Sequence, residues 1–186
     1  MATPTTTTLF HTTDYRGATI EDLNIPQAIS VNPTTPTSDA LAIGFENEFT
    51  FLPVIHEVNK RLLGVIDLGA NGAKVSGVVL DHMMWFNQGA KRKYLSDQLR
   101  EQQDAGSTKG TTGTNQRTSA TTKILKPRGK RYSVLTPLSP LEDLAGFFNR
   151  GNYFAIVTND AGLGNFVYGV VTPEDLMKYE QSRPKL

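Results

Sequence analysis

The chain has 186 residues, enough for one good-sized core or for two small repeats that share one, and too few for two independent catalytic domains. It has no cysteine, which excludes disulfides, thiolate zinc sites and cysteine nucleophiles together. The formal net charge of +1 hides a division: residues 87–131 hold eleven Lys and Arg against three Asp and Glu, net +8, so the remainder is net −7.

In chain order, the Thr-rich start, residues 1–14, is polar and repetitive and reads as a disordered tail. It lacks the basic start and apolar run of a leader, and no window approaches the ~18 apolar residues of a membrane span, so the expectation is a soluble intracellular protein. "AISV" (28–31) is a short apolar strand ending at a Pro-containing turn. Thr35-Pro36 then has the form of an N-cap hydroxyl with proline at the first helical position, and Ala40, Leu41, Ile43 and Phe45 follow at helical spacing. Two strand-like runs close this stretch, "FTFLPVI" (49–55) and "RLLGVID" (61–67).

Residues 87–130 read as a basic, flexible insertion. "RKYLSDQLREQQ" is at most a short helical stub, and 102–123 has almost nothing apolar to bury. Beyond it the first pattern returns. Pro33 matches Pro137, Pro36 matches Pro140, Asp39 matches Asp143, Phe49 matches Tyr153 and, one residue out of step, Gly64 matches Gly169. The second copy has "YSVL" (132–135), a cap at Ser139-Pro140 with Glu142 completing a capping box, a helix through Leu141, Leu144, Ala145, Phe147 and Phe148, and the runs "YFAIVT" and "FVYGVV". The boundaries are a first repeat over 15–86 with its lead-in segment, the insertion over 87–130, and a second repeat over 131–186.

Strand, helix, strand, strand, helix, twice over, with "LPVIHEVNKRLLGVID" and "FAIVTNDAGLGNFVYGVVTPEDL" carrying the match, resembles a tandem pair of CBS domains. The likeness is greatest to small fungal-type stand-alone CBS-pair proteins, which open in the manner of Tyr15 to Leu23. It implies an α/β (α+β) fold of two repeats in a pseudo-twofold module, a disc-like homodimer, and a regulatory rather than an enzymatic role. It also implies a bound adenosine ligand: AMP, ADP, ATP or S-adenosylmethionine, held as a regulatory ligand and not as a cofactor.

The family's Gly, apolar, apolar, Thr or Ser, two residues, Asp pattern is complete in Gly169, Val170, Val171, Thr172, Pro173, Glu174, Asp175. The resemblance implies that Asp175 holds the ribose hydroxyls, that Thr172 lies by the phosphate, and that Gln27 and Ile29 flank the adenine with Val170 beneath. The same spacing is also a plain helix start: a hydroxyl cap, proline at the first helical position, and acids in the positive first turn. In the first copy Asp67 replaces the hydroxyl and Ala70 the aspartate. Alanine cannot accept ribose hydroxyls and Asp67 repels a phosphate, so this second site is expected to be empty or altered.

Other chemistry is thin. His11, His56 and His82 have no partner at metal-ligand spacing, and no P-loop, GxSxG or HExxH pattern occurs. "MMWF" (83–86) reads as core packing. The basic insertion reads as a solvated loop, with a nuclear-localisation or anionic-partner segment as the alternative, so nucleic acid and membrane are not the expected partners. Two classes of function remain open: an adenosine-ligand sensor that signals to a protein partner from the cytoplasm, and a ligand-free interaction scaffold using its acidic body and basic loop.

Overall fold

The computed structural model describes residues 8–11, 14–69, 76–104, 135–159 and 167–183. Ala70, most of the Thr-rich tail and residues 105–134 of the basic stretch lie outside these. Contacts group the chain into a terminal unit, Met1–Ser30 with Asn59–Leu62 and Pro127–Leu186, and a central unit, Val31–Val58 with Leu63–Lys126. The fold is mixed α+β.

In the central unit, helix α1 (Thr37–Asn47) precedes strands β1 (Phe51–Ile55) and β2 (Leu62–Asp67). A one-turn helix α2 (Val79–His82), a two-residue strand β3 (Met84–Trp85) and helix α3 (Gln88–Asp104) follow. The sheet order is β1-β2-β3, so β2 is flanked on both sides and reads as the unbroken apolar run Leu62 to Ile66. Val31 bridges Val54 in parallel, donating to Pro53 O at 3.0 Å and accepting from Ile55 N at 2.9 Å. Pro53 therefore turns its missing donor toward Val31 and takes no bond from the pairing with β2.

The terminal unit repeats the plan. Leu135 bridges Val157 in parallel, then come α4 (Leu141–Asn149), β4 (Ala155–Thr158), β5 (Val167–Val171) and α5 (Pro173–Ser182). β4 and β5 pair antiparallel, with Ile156 opposite Val170 and Val157 opposite Gly169. Each unit has its own core. Leu52, Val54, Ile66, Val79, Trp85 and Tyr94 are buried in the central one, and Tyr15, Ile20, Leu144, Phe148, Val157 and Leu176 in the terminal one. Burial of each such aliphatic side chain contributes roughly 1.5–3 kcal/mol.

The units do not coincide with the linear repeats. Residues 14–28 fold with the second copy, and residues 76–86 fold with the first, through the same backbone bonds. The 3-10 helix Ile20–Leu23 donates from Ile20 N to Ser139 O at 3.0 Å, as Val79 N does to Thr35 O at 2.8 Å. Glu21 N reaches Pro137 O at 2.9 Å, as Leu80 N reaches Pro33 O at 2.8 Å. Ala28 N donates to Tyr168 O at 3.2 Å, and Phe86 N to Leu63 O at 3.1 Å. Each lead-in segment thus crosses to the unit that does not follow it in sequence.

Two local readings are corrected. Helices α1 and α4 begin one residue later than the hydroxyl spacing suggests, because Pro36 (ψ 139°) and Pro140 (ψ 146°) are still extended and occupy the cap position themselves. The hydroxyls close the preceding turn instead: Thr35 Oγ1 accepts from Asn32 N at 3.1 Å and Ser139 Oγ from Thr136 N at 2.9 Å. Glu142, freed from a capping box, accepts from Tyr15 N at 2.8 Å.

Within the stretch read as an insertion, α3 runs 17 residues, longer than a stub. Asn87 Oδ1 caps it, accepting from Gly89 N at 2.7 Å and Ala90 N at 3.3 Å, and buried Tyr94 joins it to the central core. Met83, Met84 and Trp85 are buried, as the core-packing reading of "MMWF" expects.

Candidate functional site

The β5–α5 junction holds the Gly169 to Asp175 run. β5 ends at Val171 because Thr172 (φ −112°, ψ 162°) caps a helix whose first residue is Pro173, where a missing N–H costs nothing. Thr172 N donates to Asp175 Oδ2 at 2.8 Å and Thr172 Oγ1 donates to the same oxygen at 3.0 Å. Asp175 N returns a bond to Thr172 O at 3.1 Å. Leu176, fully buried next along, holds this first turn on the terminal core.

Close approach sets the second wall. Gly169 has no Cβ, and one built there would lie 2.5 Å from Ile25 Cδ1 and 3.6 Å from Pro26 O. That lets the chain at 25–28 run beside β5, where Ala28 N bonds Tyr168 O. On this segment Gln27 and Ile29 are exposed, while Val170, Thr172 and Asp175 are each half-buried. All five residues singled out from the sequence therefore belong to the terminal unit. Among the described residues, the structure joins Thr172 to Asp175 directly and reaches Gln27 and Ile29 through the backbone at Ala28.

The cap geometry alone does not mark a ligand site. The same box occurs at Thr19, whose N donates to Asp22 Oδ2 at 2.7 Å, and at Val78, whose N donates to Asp81 Oδ2 at 3.2 Å. What sets Thr172–Asp175 apart is the exposed segment beside its strand.

The central unit differs at the corresponding place. β2 ends at Asp67 and continues into a turn at Leu68–Gly69, with Leu68 N on Thr50 O at 2.8 Å, and no helix starts there among the described residues. Ala70 itself lies outside them. The counterpart of exposed Gln27 is Trp85, which is fully buried against Tyr94 with ring centroids 5.9 Å apart. Backbone bonds locate that equivalence, and no side-chain pattern in the sequence announces it.

The histidines make local contacts: His56 Nδ1 accepts from Val58 N at 3.1 Å, and His82 Nε2 lies 2.9 Å from Ser76 O. Among the described residues no group of three His, Asp or Glu could hold a metal ion, and no helix is long and apolar enough to cross a membrane.

These features define an α+β protein built from two units of one plan, with a strand-to-helix junction beside a crossed lead-in segment. Residues 20–69 match the CBS domain family. Among solved structures, a CBS domain pair in complex with 5′-methylthioadenosine and S-adenosyl-L-methionine is 13% identical with a TM-score of 0.53, over 90% of this chain and 98% of its own. The CBS domains of a transcriptional regulator from Streptococcus pneumoniae are 14% identical with a TM-score of 0.51, over 87% of this chain and 98% of theirs. A cystathionine beta-synthase from Dictyostelium discoideum is 25% identical over 167 residues, 89% of this chain, and this chain spans about a quarter of that relative's length. The CBS match thus covers residues 20–69, and the chain has the fold of a CBS domain pair.

Proposed function

We propose that the chain is a non-catalytic regulatory module that binds an adenosine ligand in its terminal unit and signals to a protein partner. One observation carries the reading: half-buried Asp175, at the start of α5, closes a complete Gly-to-Asp run on a strand whose Tyr168 is bonded to the segment bearing exposed Gln27 and Ile29. In this reading Asp175 accepts from the ribose hydroxyls, and Gln27, Ile29 and Val170 border the base. The adenosine compounds bound by the structurally similar pair agree with it. Transmission requires the ligand to favour one arrangement of the protein over another. A homodimer and a cytoplasmic setting belong to the same proposal.

The test is thermal unfolding and calorimetry of the full chain with 5′-methylthioadenosine, S-adenosylmethionine, AMP and ATP, repeated on Asp175→Ala. A ligand at about 100 times its dissociation constant adds roughly 2.7 kcal/mol. Binding lost in the variant supports the site; no stabilisation by any compound removes it.

A second reading, a ligand-free interaction scaffold, is favoured by the exposed apolar side chains Phe45 (89%), Val58 (81%) and Leu138 (73%). It predicts no response to the adenosine compounds.

A further inference from the structure

Phe10 is 3% exposed, although Leu9 before it is 42% exposed and His11 after it is exposed as well. A single side chain therefore anchors residues 8–11.

Its seat is the C-terminal end of α4. The Phe10 ring packs on Phe148 with centroids 6.1 Å apart, and Phe147 meets Phe148 edge-on at 5.8 Å. Asn149, the last residue of α4, holds the main chain: Phe10 N donates to its Oδ1 at 2.8 Å, and its Nδ2 donates to Phe10 O at 2.9 Å. A carboxamide that meets both the N–H and the C=O of one residue reads main chain, which any peptide supplies. The aromatic seat adds a preference for Phe.

The next attachment is Tyr15, whose N–H donates to Glu142 Oε1 at 2.8 Å near the start of α4, so the segment runs antiparallel to that helix. Glu142 and Asn149 are about 10 Å apart along the helix axis, whereas the chain from Phe10 to Tyr15 can reach about 17 Å. That slack lets Phe10 leave its seat with Tyr15 still in place.

We propose that this seat on α4 is a docking site for a protein partner that presents a phenylalanine on a flexible segment, and that Phe10 is its built-in competitor. The partner's phenylalanine takes the place beside Phe148, its main chain takes both Asn149 bonds, and residues 8–11 are released. None of this depends on adenosine binding.

The experiment is fluorescence anisotropy with a labelled peptide of residues 6–14, TTTLFHTTD, titrated with the full chain as wild type, Phe10→Ala and Phe10→Ala/Asn149→Ala. Phe10→Ala is expected to bind the peptide about tenfold more tightly than the wild type does. Adding Asn149→Ala removes both main-chain bonds and weakens binding about tenfold, and a peptide with its Phe replaced by Ala does not bind. Equal binding by wild type and Phe10→Ala, or none by a folded Phe10→Ala, would overturn the docking site. Dimerisation of the wild type that is lost in Phe10→Ala would give the seat to a second copy and overturn the separate partner. Amide exchange of the wild type covers a Phe10→Ala that does not fold: the Phe10 amide should open about a hundredfold more often than the Ile20 amide, which is bonded to Ser139 O at 3.0 Å. Equal opening of the two would overturn the release.

Discussion

The Tyr94 hydroxyl donates to Glu57 Oε1 at 2.6 Å, tying α3 to the chain just beyond β1. Thr34 Oγ1 donates to the same oxygen at 3.3 Å, so one carboxylate gathers three separate segments of the central unit. Burial, then the bond to Glu57, then the charges of Glu57 and Glu101 push the Tyr94 hydroxyl well above its ordinary value of 10.0.

Tyr94→Phe should cost about 1–2 kcal/mol at pH 8, because the ring stays packed and only the bond is lost. The sign of the pH dependence follows from the raised value. The neutral hydroxyl is favoured by folding, so its contribution is whole below pH 10 and declines as pH rises above it. Urea midpoints at pH 8 and pH 11 should show the wild type losing its advantage over the variant. A constant difference would mean that the hydroxyl is not held neutral by the fold.

The Thr172–Asp175 box makes a stability prediction that is independent of any ligand. Asp175→Ala should destabilise by about 1 kcal/mol, while Asp175→Asn, which keeps an acceptor, should cost only a few tenths. Chemical denaturation without ligand measures both; equal costs would show that the cap adds little.

Gly64 and Gly169 occupy matching places but face different atoms. A Cβ at Gly64 would overlap the carbonyl oxygen of Met84, which is backbone, whereas one at Gly169 meets the tip of the Ile25 side chain. Gly64→Ala should therefore cost about 3 kcal/mol and Gly169→Ala about 1 kcal/mol. Thermal midpoints in the reverse order would contradict the crossing of the lead-in segments.

Thr37 stands where the terminal unit has Leu141, fully buried, and its hydroxyl has no hydrogen-bond partner. Thr37→Val, of nearly the same shape, should stabilise by about 1 kcal/mol in denaturant titration. A loss of stability would show that the hydroxyl is satisfied in solution.

Much was legible in the sequence because it is local. Pro33 and Pro137 mark corresponding turns, whose carbonyls receive the Leu80 and Glu21 amides. The apolar runs became β1, β2, β4 and β5, and Pro173 after Thr172 started α5. The pairs Thr35-Pro36 and Ser139-Pro140 were misplaced by one residue, since a proline's ψ is free to stay extended and only the neighbouring bonds decide it.

By itself, the sequence determined that there are two copies of one plan, where their strands and helices fall, and that only the second copy carries a complete Gly-to-Asp run, because periodicity, turn residues and caps act within a few positions. Tertiary structure alone decided that residues 76–86 fold back onto the first copy, that α3 is held through Tyr94, and that the Thr172 donors turn inward to Asp175. That return runs through main-chain amides and carbonyls, which every residue possesses. The direction of a hydroxyl is set by whichever acceptor the fold brings within reach.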